Sequence, residues 1–433
     1  MPSKHILLFG AGKSATVLIG YLKELSFEKD WTVTVADMDF TAVQAKVGDH
    51  PLVTAEKVDL ADDEARSSLV AAADIVISLL PPFLQAPVAK DCLEHGRHFL
   101  SASYIDPAIQ QLAKEIEQKG ILFLCEMGLD PGIDHMSAMQ LIHRIRENGG
   151  EITSFRSHCG GLVAPESDDN PWHYKFSWNP RNVVVAGKAG AVFKENGSEV
   201  KIAYDQLFDN CGEVDIDGIG PLAFYYNRDS LSYVANYQLD NATTFIRTTL
   251  RYPVFCKGWN IIVAMGLTDE TNIIQTDSLT VSSFFDKHIK ESGVVIPDEL
   301  KELFDFLGAK DNTMINKSNC SSADVLQGIL EKKWALRPED KDMIVMLHEL
   351  GVRGHGTGGS SATYSVKSLL VVEGDDNMNT AMAKTVGLPL GIAARLILEG
   401  VIEEKGLHIP ILPGVYEPVL KELEKKGIHF IES

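Results

Sequence analysis

The sequence predicts an α/β protein: an N-terminal Rossmann-type doubly wound parallel sheet, plus an α/β substrate domain with a helical insert. Three observations predict it. Up to Cys125, short apolar runs alternate with amphipathic helical stretches, as fully covered strands and their crossover helices must. A glycine-bearing turn, Gly10-Ala-Gly-Lys-Ser14, joins the first apolar run to the first helical stretch. From Glu151 the pattern changes to strand-like segments, aromatic clusters and glycine-rich turns. The expected organisation is residues 1–128 and about 385–433 as the dinucleotide-binding domain, and 129–384 as the substrate domain with its insert at about 285–340.

Lys4–Phe9 is the first apolar run, and Ser14–Leu25 the amphipathic helix after it. Thr32–Ala36 is β-branched and closes on Asp37; Asp74–Leu80 is almost wholly apolar. A helical pattern over Leu84–Glu94 leads to the strand His98–Ser103, then to a helix near Ala108–Lys119 and a strand over Ile121–Cys125. Beyond these, Ile152–His158 is strand-like, and Asn170–Pro180 sets aromatic and polar groups between two prolines, as an active-site loop or an aromatic-anchored connection. Glu299–Phe306 and Ala323–Glu331 are the helices of the insert. Met343–Leu347 and Ser365–Val372 form a hairpin around the loop Gly354–Ser361, which lacks the lysine and helix of a phosphate cradle. Ala381–Gly400 is a strong amphipathic helix, interrupted by Pro389.

The 433 residues are too many for one ordinary core, so two or three domains are expected. The net charge of −20 argues against nucleic-acid or anionic-membrane partners, though not against an anionic small molecule met by local arginines. Six scattered cysteines without CxxC spacing imply structural thiols in a reducing compartment. With no signal-peptide pattern and no apolar run of about 20 residues, a cytoplasmic protein is expected. His135, His158, His173 and His355 lack the spacing of a zinc site, so no metal is expected.

The glycine turn suits a dinucleotide. Gly10 permits the tight turn, Gly12 lets the backbone approach a pyrophosphate, and Ala15 allows close helix–strand packing. The helix start near Ser14 offers free N–H groups to phosphate. Asp37 can hydrogen-bond the adenosine ribose of NAD and would repel the 2′-phosphate of NADP, with no arginine nearby to compensate. NAD is therefore the expected cofactor. The run Gly128-Leu-Asp-Pro-Gly-Ile-Asp-His135 leaves an apolar strand at the edge where such sheets bind ligands, and presents two carboxylates and a histidine around a Pro-Gly turn.

Several motifs in a fixed order give the chain a resemblance to the saccharopine dehydrogenase (L-glutamate-forming) family over essentially its full length. They are Leu79–Pro81, Ser101–Ile105, Gly128–His135, Cys159–Glu166, Asn170-Pro171, Tyr174–Trp178, Asn227–Ser230, Thr249–Tyr252, Asp340–Met346 and Ala381–Pro389. It also resembles the dehydrogenase half of the bifunctional enzyme of lysine breakdown. The resemblance implies that Ser103, Tyr104, Asp130, Arg228, Thr249, Leu250 and Arg251 contact saccharopine. It implies cofactor contacts from Gly10, Ala11, Gly12, Lys13, Ser14, Asp37, Leu80, Leu129, Asp130, Pro131 and Ser177. It further implies a C-terminal segment that returns to the cofactor domain, which the strand-like Ile428–Ile431 would fit; a homodimer is also expected. In the fungal NADP-using members a Cys-Arg pair stands at Asp37-Met38, whereas the animal NAD-using members look closer to this chain there. Val163, Trp172 and His173 also depart from the family pattern and bear on fine specificity.

The chemistry agrees with the residue types. Saccharopine is a secondary amine with three carboxylates, and arginine suits bidentate carboxylate recognition. Its oxidation to an imine, hydration and collapse to glutamate and a semialdehyde need proton transfer near neutral pH. Asp130 and Tyr104 are the candidate acid and base, with His135 behind them. Two other readings remain: a dehydrogenase for another amino-acid-derived imine such as carboxynorspermidine, which would not need both arginines, and a non-catalytic NAD-sensing protein, which would need neither Asp130 nor Arg251.

Overall fold

The computed structural model describes residues 3–355 and 361–433; most of the expected loop Gly354–Ser361 lies outside the described residues. The chain divides into two compact units. One comprises residues 1–149 and 370–431, the other 150–369 and 432–433.

The first unit is built on a parallel sheet. Its strands are β1 (His5–Phe9), β2 (Thr32–Asp37), β3 (Val53–Lys57), β4 (Ile75–Ser78), β5 (His98–Ser101) and β6 (Leu122–Leu124). They lie in the order β6-β5-β4-β1-β2-β3, and Gly406–His408 adds a seventh, parallel strand beside β6. Ile6, Leu7, Leu8, Val76, Ile77, Phe99 and Phe123 are fully buried, which is why these strands are continuous apolar runs. The crossover helices are α1 (Thr16–Lys29), α2 (Phe40–Val47), α3 (Asp63–Ala72), α4 (Gln85–His95), α5 (Pro107–Gln110) and α6 (Ala113–Lys119). Strand order reverses direction between β1 and β4, the place where doubly wound sheets bind ligands at their carboxyl ends.

Four details differ from the sequence expectation. The helix after the glycine turn begins with one 3-10 turn, Lys13–Ala15, and runs on to Lys29. The unit boundary falls at Gly149/Gly150 rather than 128, because α7 (Ile133–Glu147) packs against Pro413–Lys425. The strand that returns to the parallel sheet is Gly406–His408, whereas Ile431–Glu432 joins the sheet of the second unit. Ala381–Leu398 is one helix that continues through Pro389. It is long and apolar enough to cross a membrane, yet 78% of it is buried inside the protein as a core helix.

The second unit is a ten-stranded mixed sheet with a helical insert. Its centre is β7 (Glu151–Val163), flanked in parallel by β13 (Thr244–Arg251) and antiparallel by Asp342–His355, with Ser361–Glu373 next to that. The other strands are β8 (Ala191–Glu195), β9 (Ser198–Ile202), β10 (Gly212–Ile216), β11 (Gly220–Tyr226) and β12 (Arg228–Asp229). The insert contributes helices Val281–Ser292, Lys301–Leu307 and Ser322–Lys333. Asn170–Pro180 is an aromatic-anchored connection: Trp172, Tyr174 and Phe176 are buried in one apolar cluster with Phe255, Trp259, Phe304 and Trp334.

Candidate active site

In the first unit, the sequence-predicted residues gather at the carboxyl ends of the parallel strands. Gly10 has φ of +98°, and a Cβ there would meet the Leu79 carbonyl oxygen at 3.0 Å, so only glycine fits between β1 and the end of β4. Gly12 is exposed with open space around its Cα, as the approach of a pyrophosphate requires. The exposed Lys13 and half-buried Ser14 lie in the 3-10 turn that leads into α1. The turn is fastened from two sides. The Asp37 Oδ2 accepts the Ala11 N–H at 2.8 Å, and its Oδ1 accepts the Asp39 N–H at 3.1 Å. From α2, the Lys46 ammonium donates to the carbonyls of Ala11 and Gly12, both at 2.6 Å. Burial lowers the Lys46 pKa below the ordinary lysine value, and the Asp37 charge opposes that shift.

After β4, Gln85 organises the neighbouring loops. Its amide donates to the Leu80 carbonyl at 2.7 Å and to the Ser103 hydroxyl at 3.2 Å, and it accepts from Ser101 at 3.1 Å. Leu80, Ser103 and Tyr104 are all half-buried.

The turn after β6 is held almost entirely by its own backbone. The Gly128 N–H donates to Pro131, the Ile133 N–H to Gly128 and the Asp134 N–H to Leu129. The Asp130–Pro131 peptide is cis. Asp134 accepts the Gly132 N–H at 2.5 Å, so the second carboxylate of the motif caps the turn. Leu129 and Pro131 are buried, while Asp130 keeps partial exposure. His135 is fully buried, with Nε2 at 2.9 Å from the Glu126 carboxylate.

In the second unit, Arg251 is 3% exposed at the end of β13. Its guanidinium donates to the Leu250 carbonyl at 2.7 Å and lies 5.1 Å from the Tyr174 ring and 5.5 Å from Phe255. Its Nε has no hydrogen-bond partner, and no carboxylate among the described residues pairs with it. Thr249 and Arg251 share one face of the strand, since successive side chains alternate. Leu250 points to the other, into a cluster with Leu162, Met343 and Val345. The expected Thr249–Arg251 strip is therefore not one surface, and what Leu250 turns toward Arg251 is its carbonyl. Arg228 is exposed on β12, with φ of +44°. The Asn227 N–H bonds the Arg247 carbonyl, which sets Arg228 beside the middle of β13 and away from Arg251. The neighbouring Asp229 carboxylate caps the amides of Leu231 and Ser232. Ser177 is buried in the aromatic connection.

Two family models cover nearly the whole chain: Saccharopine dehydrogenase NADP binding domain over residues 6–124, and Saccharopine dehydrogenase C-terminal domain over 128–428. The chain belongs to the saccharopine dehydrogenase family. Among its relatives is the saccharopine dehydrogenase [NADP(+), L-glutamate-forming] of Schizosaccharomyces pombe, 32% identical, with 100% of this chain and 99% of that protein covered. The alpha-aminoadipic semialdehyde synthase, mitochondrial, of Mus musculus is 34% identical over 99% of this chain, which spans 47% of that longer protein. The chain thus spans about half the length of the first curated relatives it matches. A solved structure, the apo saccharopine dehydrogenase (L-Glu forming) from Saccharomyces cerevisiae, superposes with a TM-score of 0.86 at 32% identity, covering 100% of this chain and 99% of that one.

These findings overturn the expectation of NAD as the main cofactor. The first unit matches an NADP binding domain, and the fungal saccharopine dehydrogenases over the same length are named for NADP(+). The geometry gives the physical reason. The sequence shows no arginine beside Asp37 to compensate its charge, but both its oxygens take backbone N–H groups and Lys46 brings a positive charge beside it. A second omission was Glu126, which directly follows the apolar strand and pairs with His135; a carboxylate at the mouth of a parallel strand was the available signal.

The turn offers a direct test. Gly132 has φ of +146°, and a Cβ there would lie 2.1 Å from the Gly128 carbonyl oxygen. Gly132→Ala is expected to lower the melting temperature markedly, since backbone strain alone costs roughly 1–3 kcal/mol. A wild-type melting curve for that variant would show that the turn is not built as described.

Proposed function

We propose that the protein catalyses the dinucleotide-dependent oxidative cleavage of saccharopine to L-glutamate and 2-aminoadipate 6-semialdehyde, or the reverse reduction, with NADP(H) as its cofactor, in lysine metabolism. The observation that carries the reading is Arg251, a buried cation with no carboxylate partner among the described residues. Burying a charge is costly unless it is paired, so the site favours an external carboxylate. Saccharopine carries three. Similarity over the full length of saccharopine dehydrogenases named as L-glutamate-forming supports the same reaction.

In this reading NADP+, when bound, accepts a hydride from the carbon beside the secondary amine of saccharopine. Gly10 to Ser14 hold the dinucleotide phosphates against backbone N–H groups, and Lys46 offsets the negative charge that a 2′-phosphate brings close to Asp37. Asp130 and Tyr104, both partly exposed, are the groups that would exchange protons with the amine and with the water that adds to the imine. Arg251 orients the substrate by one carboxylate, and Tyr174 and Phe255 keep water away from the guanidinium, which strengthens that contact.

The reaction is tested with purified protein, saccharopine and either NADP+ or NAD+, followed by dinucleotide absorbance and glutamate formation. Absence of glutamate with both cofactors would end this reading. Arg251→Met keeps the apolar stem and removes the charge. It is expected to raise the saccharopine KM tenfold or more, since a charged hydrogen bond contributes roughly 1.5–3 kcal/mol. Wild-type saccharopine affinity in that variant would make Arg251 structural. Lys46→Met should weaken NADP+ binding, measured by calorimetry, by a similar factor and NAD+ binding less. An equal loss for both would make Lys46 only a brace of the glycine turn.

A further inference from the structure

The two candidate proton-transfer groups stand on separate loops, Tyr104 after β5 and Asp130 in the turn after β6, and one buried side chain ties these loops together. Glu126 is 4% exposed and adopts φ of +56°, a conformation that side chains other than glycine rarely take. Its backbone N–H donates to the Ser103 carbonyl at 3.0 Å, and the next N–H, of Met127, donates to Ser101 at 2.9 Å. Its carboxylate then divides. Oε1 accepts the N–H of Ile105, the residue after Tyr104, at 3.3 Å, and Oε2 lies 2.9 Å from Nε2 of His135, the last residue of the Gly128–His135 motif. On the far side of the imidazole, Nδ1 is 3.6 Å from the Asp134 carboxylate, which itself caps Gly132.

From this geometry we infer that Glu126 is a positioning residue: it fixes Tyr104 relative to the Asp130 turn by bridging the Ile105 amide and His135. Left-handed backbone at a buried glutamate is the kind of strain that persists where surrounding structure demands it. Three features fit this demand. The conformation turns the carboxylate back beneath the Ser103–Ile105 loop, the bond to His135 sets the ring's orientation, and full burial of His135 lets the ring anchor α7. A carboxylate bound at both oxygens transmits a shift in either loop to the other, and misplacement of a reacting group by about 1 Å can cost on the order of 100-fold in rate.

The kinetic part of the inference rests on the saccharopine reading; the bridge itself does not. The test uses the full-length protein as Glu126→Gln, Tyr104→Phe and the double variant, with Glu126→Asp alongside should the glutamine form fail to fold. Glu126→Gln keeps the shape but puts an amide where one acceptor oxygen stood. It should lower kcat about 10- to 100-fold, while dinucleotide affinity and saccharopine KM stay within about twofold. In the Tyr104→Phe background the same substitution should cost far less, because the two changes act through one group. Additive losses, or a loss that merely follows a lowered melting temperature, would overturn the positioning role. Amide hydrogen exchange is read on Glu126→Met, which keeps the length of the side chain but offers no acceptor to the Ile105 N–H, and Ile105 should lose protection there. Unchanged protection there would overturn the bridge, even if the wild-type protein proved inert toward saccharopine, a result that would instead remove the proposed reaction.

Discussion

The rest of the first unit depends on one constraint: its parallel sheet is covered on both faces. A strand in that position has no side chain free for chemistry, since residues such as Ile6, Leu8, Val76 and Phe99 are wholly buried. Backbone groups beyond the last ladder bond and loop side chains are what remain, and they collect where the strands end. Gly10, Asp37, Leu80, Ser103 and the Glu126–His135 segment come from five different strand exits, yet share this one edge. The polar network there is almost self-sufficient. Asp37, Lys46, Gln85, Glu126 and Asp134 each hold backbone groups of a neighbouring loop or turn, so the edge is preorganised without a ligand.

That network explains what could be foreseen from sequence and what could not. Buried parallel strands announce themselves by composition, so β1, β2, β4, β5 and β6 were legible to within a residue or two at most ends. β3 was not, because Val-Thr-Ala-Glu-Lys lies at the sheet edge with most of its side chains toward solvent and so lacks an apolar run. Gly128–His135 was legible as a site for its unusual density of turn and charged residues. Lys46 was hidden by distance: it sits 34 residues from the Gly12 carbonyl it holds, and nothing local links them. The expectation of NAD fails at the same point: the type and position of Asp37 are those of a ribose ligand, but the cation that offsets its charge, Lys46, lies on α2, where no local pattern marks it.

The second unit shows a related limit. Thr249, Leu250 and Arg251 are adjacent in sequence, and adjacency on a strand means opposite faces. Leu250 belongs to a different apolar cluster from the rings beside Arg251. Arg228 and Arg251, both expected to meet substrate carboxylates, are separated along the strand by the register of β13 with its neighbours.

Arg251 and Glu126 are the two sites where the energetics of burial bear most directly on function, and they do so in opposite ways. Glu126 is buried and fully engaged: both oxygens and its own N–H have partners, so it stabilises one arrangement of the loops. Arg251 is buried and incompletely engaged, with one carbonyl, three aromatic faces and an orphan Nε. Aromatic faces offset only part of a guanidinium's lost hydration, since such contacts contribute roughly 0.5–2 kcal/mol against a desolvation cost of several. The remaining deficit is one that an anion would relieve. On the proposed function, a carboxylate ligand would recover the cost of burying this cation, and affinity there would come from the burial that makes the site costly to maintain.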